Sequence, residues 1–139
     1  MLLHLDEAKR IAEGAIEKAG EFDIKISVAV CEAGGKLLVF KRMDGIAWAG
    51  VYGSKRKALA SAAFNLSSGR IPGAQSHNHT QITRNEGGHM IIAKGAAAIY
   101  HDGDVVGACG VFGGAEEQDE ACARANIAKV APYLPPKKR

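Results

Sequence analysis

The apolar positions at the start of the chain recur with two different periods, which predict a helix followed by a hairpin. Across residues 5–20 they return every three or four residues, the pattern of an amphipathic helix that ends near Gly20. Residues 24–31 alternate instead, with isoleucine and valine on one face, and residues 36–43 read as the return strand. The chain therefore begins with one helix and two antiparallel strands.

The remainder of the chain predicts a second helix, a second hairpin and a final helix. Residues 47–65 predict a helix rich in alanine and serine, and residues 96–100 and 105–112 predict a second hairpin. A final helix is predicted over residues 116–130, whereas the polar residues 74–90 fit either a short helix or an ordered loop. Hairpins with helices alongside predict an α+β fold with an antiparallel sheet, in a single domain.

Small residues carry two further expectations. Gly34 and Gly35 lie in the first hairpin turn, which we expect to require positive φ, so Gly34→Val should lower the free energy of unfolding by more than about 1 kcal/mol. The second helix contains small residues that would allow close packing against a neighbouring subunit. These residues are Ala58, Ser61, Ala62 and Ala63.

Composition excludes several classes of protein. The 139 residues, 47% hydrophobic and 24% charged, suit one globular domain spanning 1–139 and argue against disorder. A net charge of +3 is too small to indicate nucleic-acid binding. No apolar run has the ~20 residues of a membrane helix, and the N-terminus lacks signal-peptide features, so we expect a cytoplasmic protein without membrane contact. Three widely spaced cysteines fit neither a disulfide framework nor a cysteine-only zinc site.

The densest polar cluster contains three of the five histidines. In an extended segment His77 and His79 would lie on one side, where they and His89 could ligate a divalent metal or heme iron. Glu86 lies beside them in sequence, so these four side chains are predicted to line one pocket, completed by a neighbouring subunit. The alternative is a polar surface loop whose histidines form hydrogen bonds.

Charged and glycine-rich segments give further candidates. The run from Lys55 to Lys57 fits either a solvated helix face or a set of cations that binds the carboxylates of a ligand. Arg42 and Asp44 follow the first hairpin, where they would contact a substrate or pair with each other. Residues 110–114, three of which are glycines, precede a helix that starts with acidic residues. Because those carboxylates would repel an anion, the pattern favours a bend between sheet and helix over an anion site.

Five segments in order resemble the GlcG/HbpS family. They are residues 3–8, 27–37, 40–45, 102–111 and 118–123, including the motifs Ser27-Val-Ala-Val-Cys-Glu-Ala-Gly-Gly and Asp102-Gly-Asp-Val-Val-Gly-Ala-Cys-Gly. The resemblance implies a profilin-like fold with a five-stranded antiparallel sheet, homo-oligomers from dimers up to octamers, and heme or a related tetrapyrrole as ligand. The chain departs from the family at Gly95-Ala-Ala-Ala, where many members carry Gly-Gly-x-Pro, and at Phe112, where many carry serine.

Three functions are compatible with these features. The first is binding of heme or a related tetrapyrrole, as the resemblance implies. The second is a hydrolase or isomerase of a small carboxylated catabolic intermediate. Its general base would be His77, His79 or His89, with Glu86 as the orienting partner and Arg42 or Arg84 on the carboxylate. The third is a non-catalytic accessory protein of a catabolic operon.

Overall fold

The computed structural model describes residues 2–71 and 77–130, which form a four-stranded antiparallel sheet with helices on both faces. The strands lie in the order β2-β1-β4-β3, so the two hairpins meet through their first and last strands. The elements are α1 (Leu5–Glu21), β1 (Ser27–Glu32), β2 (Leu37–Arg42), α2 (Gly50–Phe64), a 3₁₀ turn (Ser68–Arg70), α3 (His77–Asn85), β3 (Ala96–His101), β4 (Asp104–Phe112), α4 (Glu116–Arg124) and α5 (Ile127–Val130).

The predicted α+β class and both predicted hairpins are confirmed, but the number of strands is not. In the described part of the chain the sheet has four strands, so the five implied by the family resemblance is a wrong expectation there. The segment that precedes β3 does not extend the sheet, because the amide of Ile91 donates to the carbonyl of Arg56 on α2, 3.2 Å away. The last predicted helix is also divided, since α4 ends at Arg124 and α5 begins at Ile127.

One face of the sheet carries large aliphatic side chains. Val28 and Val30 of β1 and Val111 of β4 are fully buried there against α1, α4 and α5. Ile11 of α1 is also fully buried in this cluster. We call this the aliphatic face, and it holds the main hydrophobic core, as the alternation in residues 24–31 predicts.

The opposite face, covered by α2, carries small side chains along most of its contact with the helix. The exception is the Phe112 ring at the end of β4, which lies against Gly50 and Gly53 of α2. Cys31 of β1 and Ala108 of β4 pack against Ala58 and Ala62 of α2. At Gly110 an added Cβ would collide with the backbone carbonyl of Ser54, so the helix axis lies as close to β4 as a glycine permits. We call this the small-residue face.

Most of the small residues of α2 therefore pack inside the chain rather than against another subunit. Ala58 and Ala62 contact the sheet, and Ser61 is fully buried with its hydroxyl donating to the carbonyl of Leu66. Ala63 is exposed. The homo-oligomer of two to eight copies consequently rests on the family resemblance and stays a prediction.

A buried ion pair joins the two faces at the end of β4. The ammonium group of Lys57 on α2 lies 3.5 Å from a carboxylate oxygen of Asp119 on α4 and donates to the carbonyl of Val111 at 3.1 Å. The other carboxylate oxygen of Asp119 accepts a hydrogen bond from the amide of Gly114 at 2.8 Å. Both side chains are under a tenth exposed, so each charge depends on the other for compensation.

Two findings bear on expectations from the sequence, one at the first hairpin turn and one on membrane-spanning helices. In the β1–β2 turn Gly35 has φ +83°, whereas Gly34 does not lie in the positive-φ region, so the expectation of positive φ at Gly34 is wrong. Among the described residues, no helix combines the length and apolar character needed to cross a membrane.

Candidate ligand-binding pocket

A cavity of about 340 Å³ lies between α2 and the β1–β2 hairpin. It forms where α2, which packs mainly over β4 and β1, leaves the β2 side of the sheet uncovered. Its volume falls within the roughly 300–1,000 Å³ of small-ligand sites. The lining residues are Ala29, Cys31, Gly35, Lys36, Leu37, Tyr52, Lys55, Arg56, Ala58, Leu59 and His89.

His89 is the one member of the predicted histidine cluster that lines this cavity. It is exposed, but its neighbours in sequence are anchored: Met90 is buried against Ala60 and Ile71, and the amide of Ile91 bonds to α2. The chain reaches this position by leaving α3 through two residues, 87 and 88, that are both glycines with φ near +75° and +72°. These glycines end the helix and direct the imidazole towards the cavity.

Three permanent cations line the cavity, and none of the other lining residues that the structure describes carries a carboxylate. Lys36 comes from the hairpin, and Lys55 and Arg56 come from α2. The guanidinium of Arg56 lies 5.0 Å from the centre of the Tyr52 ring one helical turn earlier, a cation–π contact that limits its rotation. Of the cations predicted as ligand-binding residues, Lys55 therefore lies at the pocket.

The helical stripe that forms this wall was visible in the sequence. Tyr52, Arg56 and Leu59 are spaced by four and three residues, so they lie on one side of α2. Lys36 had no comparable signal, because its place at the cavity depends on how the hairpin folds over α2. Neither Lys36 nor Tyr52 was among the predicted site residues.

Cys31 forms part of the cavity wall as a neutral thiol. Burial raises its pKa to about 12, with the nearby carboxylate of Glu32 adding to the effect and a backbone hydrogen bond to Ala108 opposing it. A thiolate is the nucleophilic form of cysteine, so this side chain acts here as a small hydrophobic residue. The sequence interpretation of Cys31 and Cys109 as buried small hydrophobic residues is confirmed.

The predicted metal site at His77, His79 and His89 finds no support in the structure. His77 and His79 lie on helix α3, where residues two apart point about 200° away from each other, rather than on an extended segment. The His79 ring instead stacks on Phe64, with ring centres 4.9 Å apart. Across residues 2–71 and 77–130 no group of three His, Cys, Asp or Glu side chains is placed to hold a metal ion.

The remaining predicted site residues are exposed and do not line the cavity. Arg84 and Glu86 lie at the end of α3 and just beyond it, and Arg42 ends β2 opposite Ser27. Glu86 therefore does not join His89 at this cavity, and a pocket lined by all four side chains and completed by a neighbouring subunit stays a prediction. Within the chain, α3 sends the side chains of His77 and His79 in different directions.

The glycine-rich end of β4 holds an internal carboxylate. Gly114 donates to Asp119, and the backbone of Gly113 also contributes to stabilising that charge. Burial outweighs these contacts and the Lys57 ammonium, and it raises the pKa of the Asp119 carboxyl above its ordinary value. The interpretation of residues 110–114 as a bend between sheet and helix fits this arrangement, because the anion at the Gly114 amide is the protein's own Asp119 carboxylate.

Comparison with known proteins gives a consistent family. The model of a family described as "Haem degrading protein HbpS-like" matches residues 3–128. An uncharacterised 15.0 kDa protein from the dhaT-dhaS intergenic region of Citrobacter freundii is 30% identical over 124 residues, covering 86% of this chain and 85% of its own. The corrinoid adenosyltransferase PduO of the same organism is 26% identical over 138 residues, which are 94% of this chain but 39% of that protein.

A solved structure shows the same fold. The crystal structure of a PduOC:heme complex superposes with a TM-score of 0.85 at 20% identity, covering 96% of this chain and 98% of its own. At that level of identity the likeness concerns the arrangement of helices and strands.

Proposed function

Since this chain belongs to the HbpS-like family of haem-degrading proteins, we propose that it binds heme or a related tetrapyrrole in the pocket between α2 and the β1–β2 hairpin. The observation that carries the proposal is the combination, in one cavity, of the His89 imidazole with an apolar wall. Among the relatives, PduO is named for a corrinoid and a structural neighbour is a heme complex, and these names support tetrapyrroles as the ligand class.

The residues at the pocket fit such a ligand. Imidazole is a common axial ligand of heme iron, and the His89 ring forms no hydrogen bond with another described residue. Ala58 and Leu59 give the wall an apolar surface suited to a flat macrocycle. When bound, heme would supply a redox-active iron and a strong visible absorption band.

Exposed apolar side chains at the mouth of the pocket indicate a ligand larger than the cavity. Leu37 is 45% exposed and Tyr52 is 51% exposed, although both line the cavity. Trp48 is 68% exposed and makes an edge contact with Tyr52, with ring centres 6.2 Å apart. Exposed apolar groups around a pocket indicate surface that a ligand covers, so a macrocycle can extend from the cavity over these side chains.

The surroundings of His89 do not by themselves distinguish ligand binding from the enzyme alternative. A histidine general base usually has a partner that fixes its tautomer, and Glu86, the predicted partner, does not line the cavity. A histidine that binds iron commonly has a partner on its second ring nitrogen as well. The apolar wall of the cavity and the exposed apolar groups at its mouth, rather than the surroundings of His89, favour ligand binding over the hydrolase or isomerase interpretation.

Hemin titration of the purified chain tests the proposal. We expect a Soret band and quenching of the fluorescence of Trp48, the single tryptophan of the chain, because its contact with Tyr52 places it beside the pocket. His89→Ala should weaken hemin binding about tenfold or more, equivalent to about 1.4 kcal/mol, and alter the Soret maximum, because the iron loses its imidazole ligand.

His77→Ala is the matched control, because it removes an exposed histidine of the same segment that does not line the cavity. It should bind hemin as the parent chain does. Equal loss in both variants, or unchanged binding in His89→Ala, would contradict the assignment of His89. A parent chain that takes up no hemin would contradict the proposed function and favour the enzyme or accessory-protein alternatives.

A further inference from the structure

The cations at the pocket form no ion pair with another described residue. Lys36, Lys55 and Arg56, which we call the basic triad, take part in none of the ion pairs formed within residues 2–71 and 77–130. None of the described residues that line the cavity carries a carboxylate, and the Glu32 carboxylate beside the turn accepts from the backbone amide of Lys36, at 2.8 Å, rather than pairing with its ammonium group. Three like charges in one partly enclosed site repel each other, and an anionic ligand would relieve that repulsion.

Lys57, the next residue of α2, differs from the basic triad because it has an ion-pair partner. Lys57 is buried and paired with Asp119, whereas Lys55 and Arg56 immediately before it have no such partner. Asp119 thus pairs with Lys57 at the end of the sheet. The two preceding cations, Lys55 and Arg56, line the pocket instead. Their lack of partners is a property of the pocket rather than of the whole basic segment.

The triad is suited to carboxylates in particular. The guanidinium of Arg56 lies 5.0 Å from the centre of the Tyr52 ring, a contact that favours one placement of the planar group at the pocket. A guanidinium binds a carboxylate through two parallel hydrogen bonds, and ordering it in advance reduces the entropy cost of binding. Lys36 approaches from the hairpin and Lys55 from the helix, so two separate walls supply positive charge.

We propose that the basic triad makes the pocket selective for tetrapyrroles that carry free carboxylates over those whose side chains are esters or amides. This inference rests on the proposed function, because it concerns the ligand class of the same pocket. His89 would bind the metal of either kind of ligand, whereas the triad distinguishes them by charge. The selectivity should decrease as salt concentration rises, because the triad is partly open to solvent.

The test compares three probes on the full chain at low ionic strength: hemin, hemin dimethyl ester and hydroxocobalamin, a corrin with amide side chains. Trp48 fluorescence and the absorption spectrum report binding. We expect hemin to bind about tenfold or more tightly than its dimethyl ester, and hydroxocobalamin not to displace it at equal concentration. In Lys55→Gln/Arg56→Gln the preference for the free acid should fall to within about threefold, while the ester binds as before.

Lys9→Gln/Lys129→Gln is the control, because it removes the same number of charges from exposed helix positions outside the pocket. It should keep the preference of the parent chain. If hemin and its ester bind the parent chain equally, or if the pocket double variant keeps the full preference, the selectivity proposal fails while heme binding stands. If the parent chain binds none of the probes, the proposed function fails with it.

Discussion

The two faces of the sheet are built from side chains of different size, and they have different roles. On the aliphatic face Val28, Val30 and Val111 are fully buried beneath α1, α4 and α5. On the small-residue face Cys31 and Ala108 meet the alanines of α2. The first face buries most of the large apolar side chains, and the second allows a helix to approach closely and leaves a cavity at its side.

The difference shows how one sheet can separate stability from binding. Large branched side chains fill the space between layers and contribute most of the hydrophobic free energy. Small side chains bury little area, but they bring the backbone and the polar positions of α2 near the sheet. The pocket with Tyr52, Arg56 and His89 lies at the edge of that second contact.

The largest expected effect comes from breaking the ion pair that joins the two faces. Lys57→Met should lower the free energy of unfolding by about 3–5 kcal/mol at pH 7, because it leaves the Asp119 carboxylate buried without a cation. Urea unfolding followed by circular dichroism measures the loss. Lys55→Met, two residues earlier and exposed, should change it by no more than about 0.5 kcal/mol.

The same variant has a pH dependence with a defined sign. Burial raises the pKa of Asp119 in the folded chain, so the folded state holds this proton more tightly than the unfolded chain does. The contribution of this carboxyl to stability is therefore greater at low pH and is lost as pH rises through the folded pKa. Without Lys57 the pKa rises further, so the destabilisation by Lys57→Met should shrink between pH 7 and the ordinary aspartate value of 3.8. A loss that grows on acidification would contradict this account.

Two substitutions at neighbouring residues of β4 compare the two faces directly. Gly110→Ala should cost about 3 kcal/mol, because the new Cβ meets the backbone of Ser54 and Ala58, which can move only with α2. Val111→Ala, on the aliphatic face, should cost about 2 kcal/mol through lost burial and a residual cavity. Denaturant midpoints of both variants test the comparison, and a neutral Gly110→Ala would show that α2 is not closely packed.

The smallest expected effect concerns the turn beside the pocket. Gly35→Ala should cost about 2 kcal/mol, because φ is +83° and the new Cβ would meet Leu59 of α2. Gly34→Ala should cost less than about 1 kcal/mol, since its Cβ meets only the carboxylate end of Glu32 at 2.9 Å. Thermal unfolding of the two variants separates these values. Equal shifts in melting temperature for the two variants would contradict the larger cost that we assign to positive φ and the Leu59 contact at Gly35.

Local patterns were sufficient for most of the fold. The period of apolar residues predicted α1 and the two hairpins, because each pattern needs only its own neighbours in sequence to decide which face is buried. The small residues of α2 predicted close packing, for which we expected a neighbouring subunit as partner. The partner is instead the chain's own sheet, as Ala58 and Ala62 show.

The sequence by itself determined the α+β class, the family resemblance and a cluster of candidate histidines and cations. Only the tertiary structure decided which of them share a site: His89 and Lys55 line the pocket, whereas His79 stacks on Phe64. The physical reason is that a helix separates residues two apart, while long-range contacts bring together residues from α2, the hairpin and the segment after α3. Charge showed the same division, because three consecutive basic residues look alike in sequence, and only the fold brings Asp119 to Lys57.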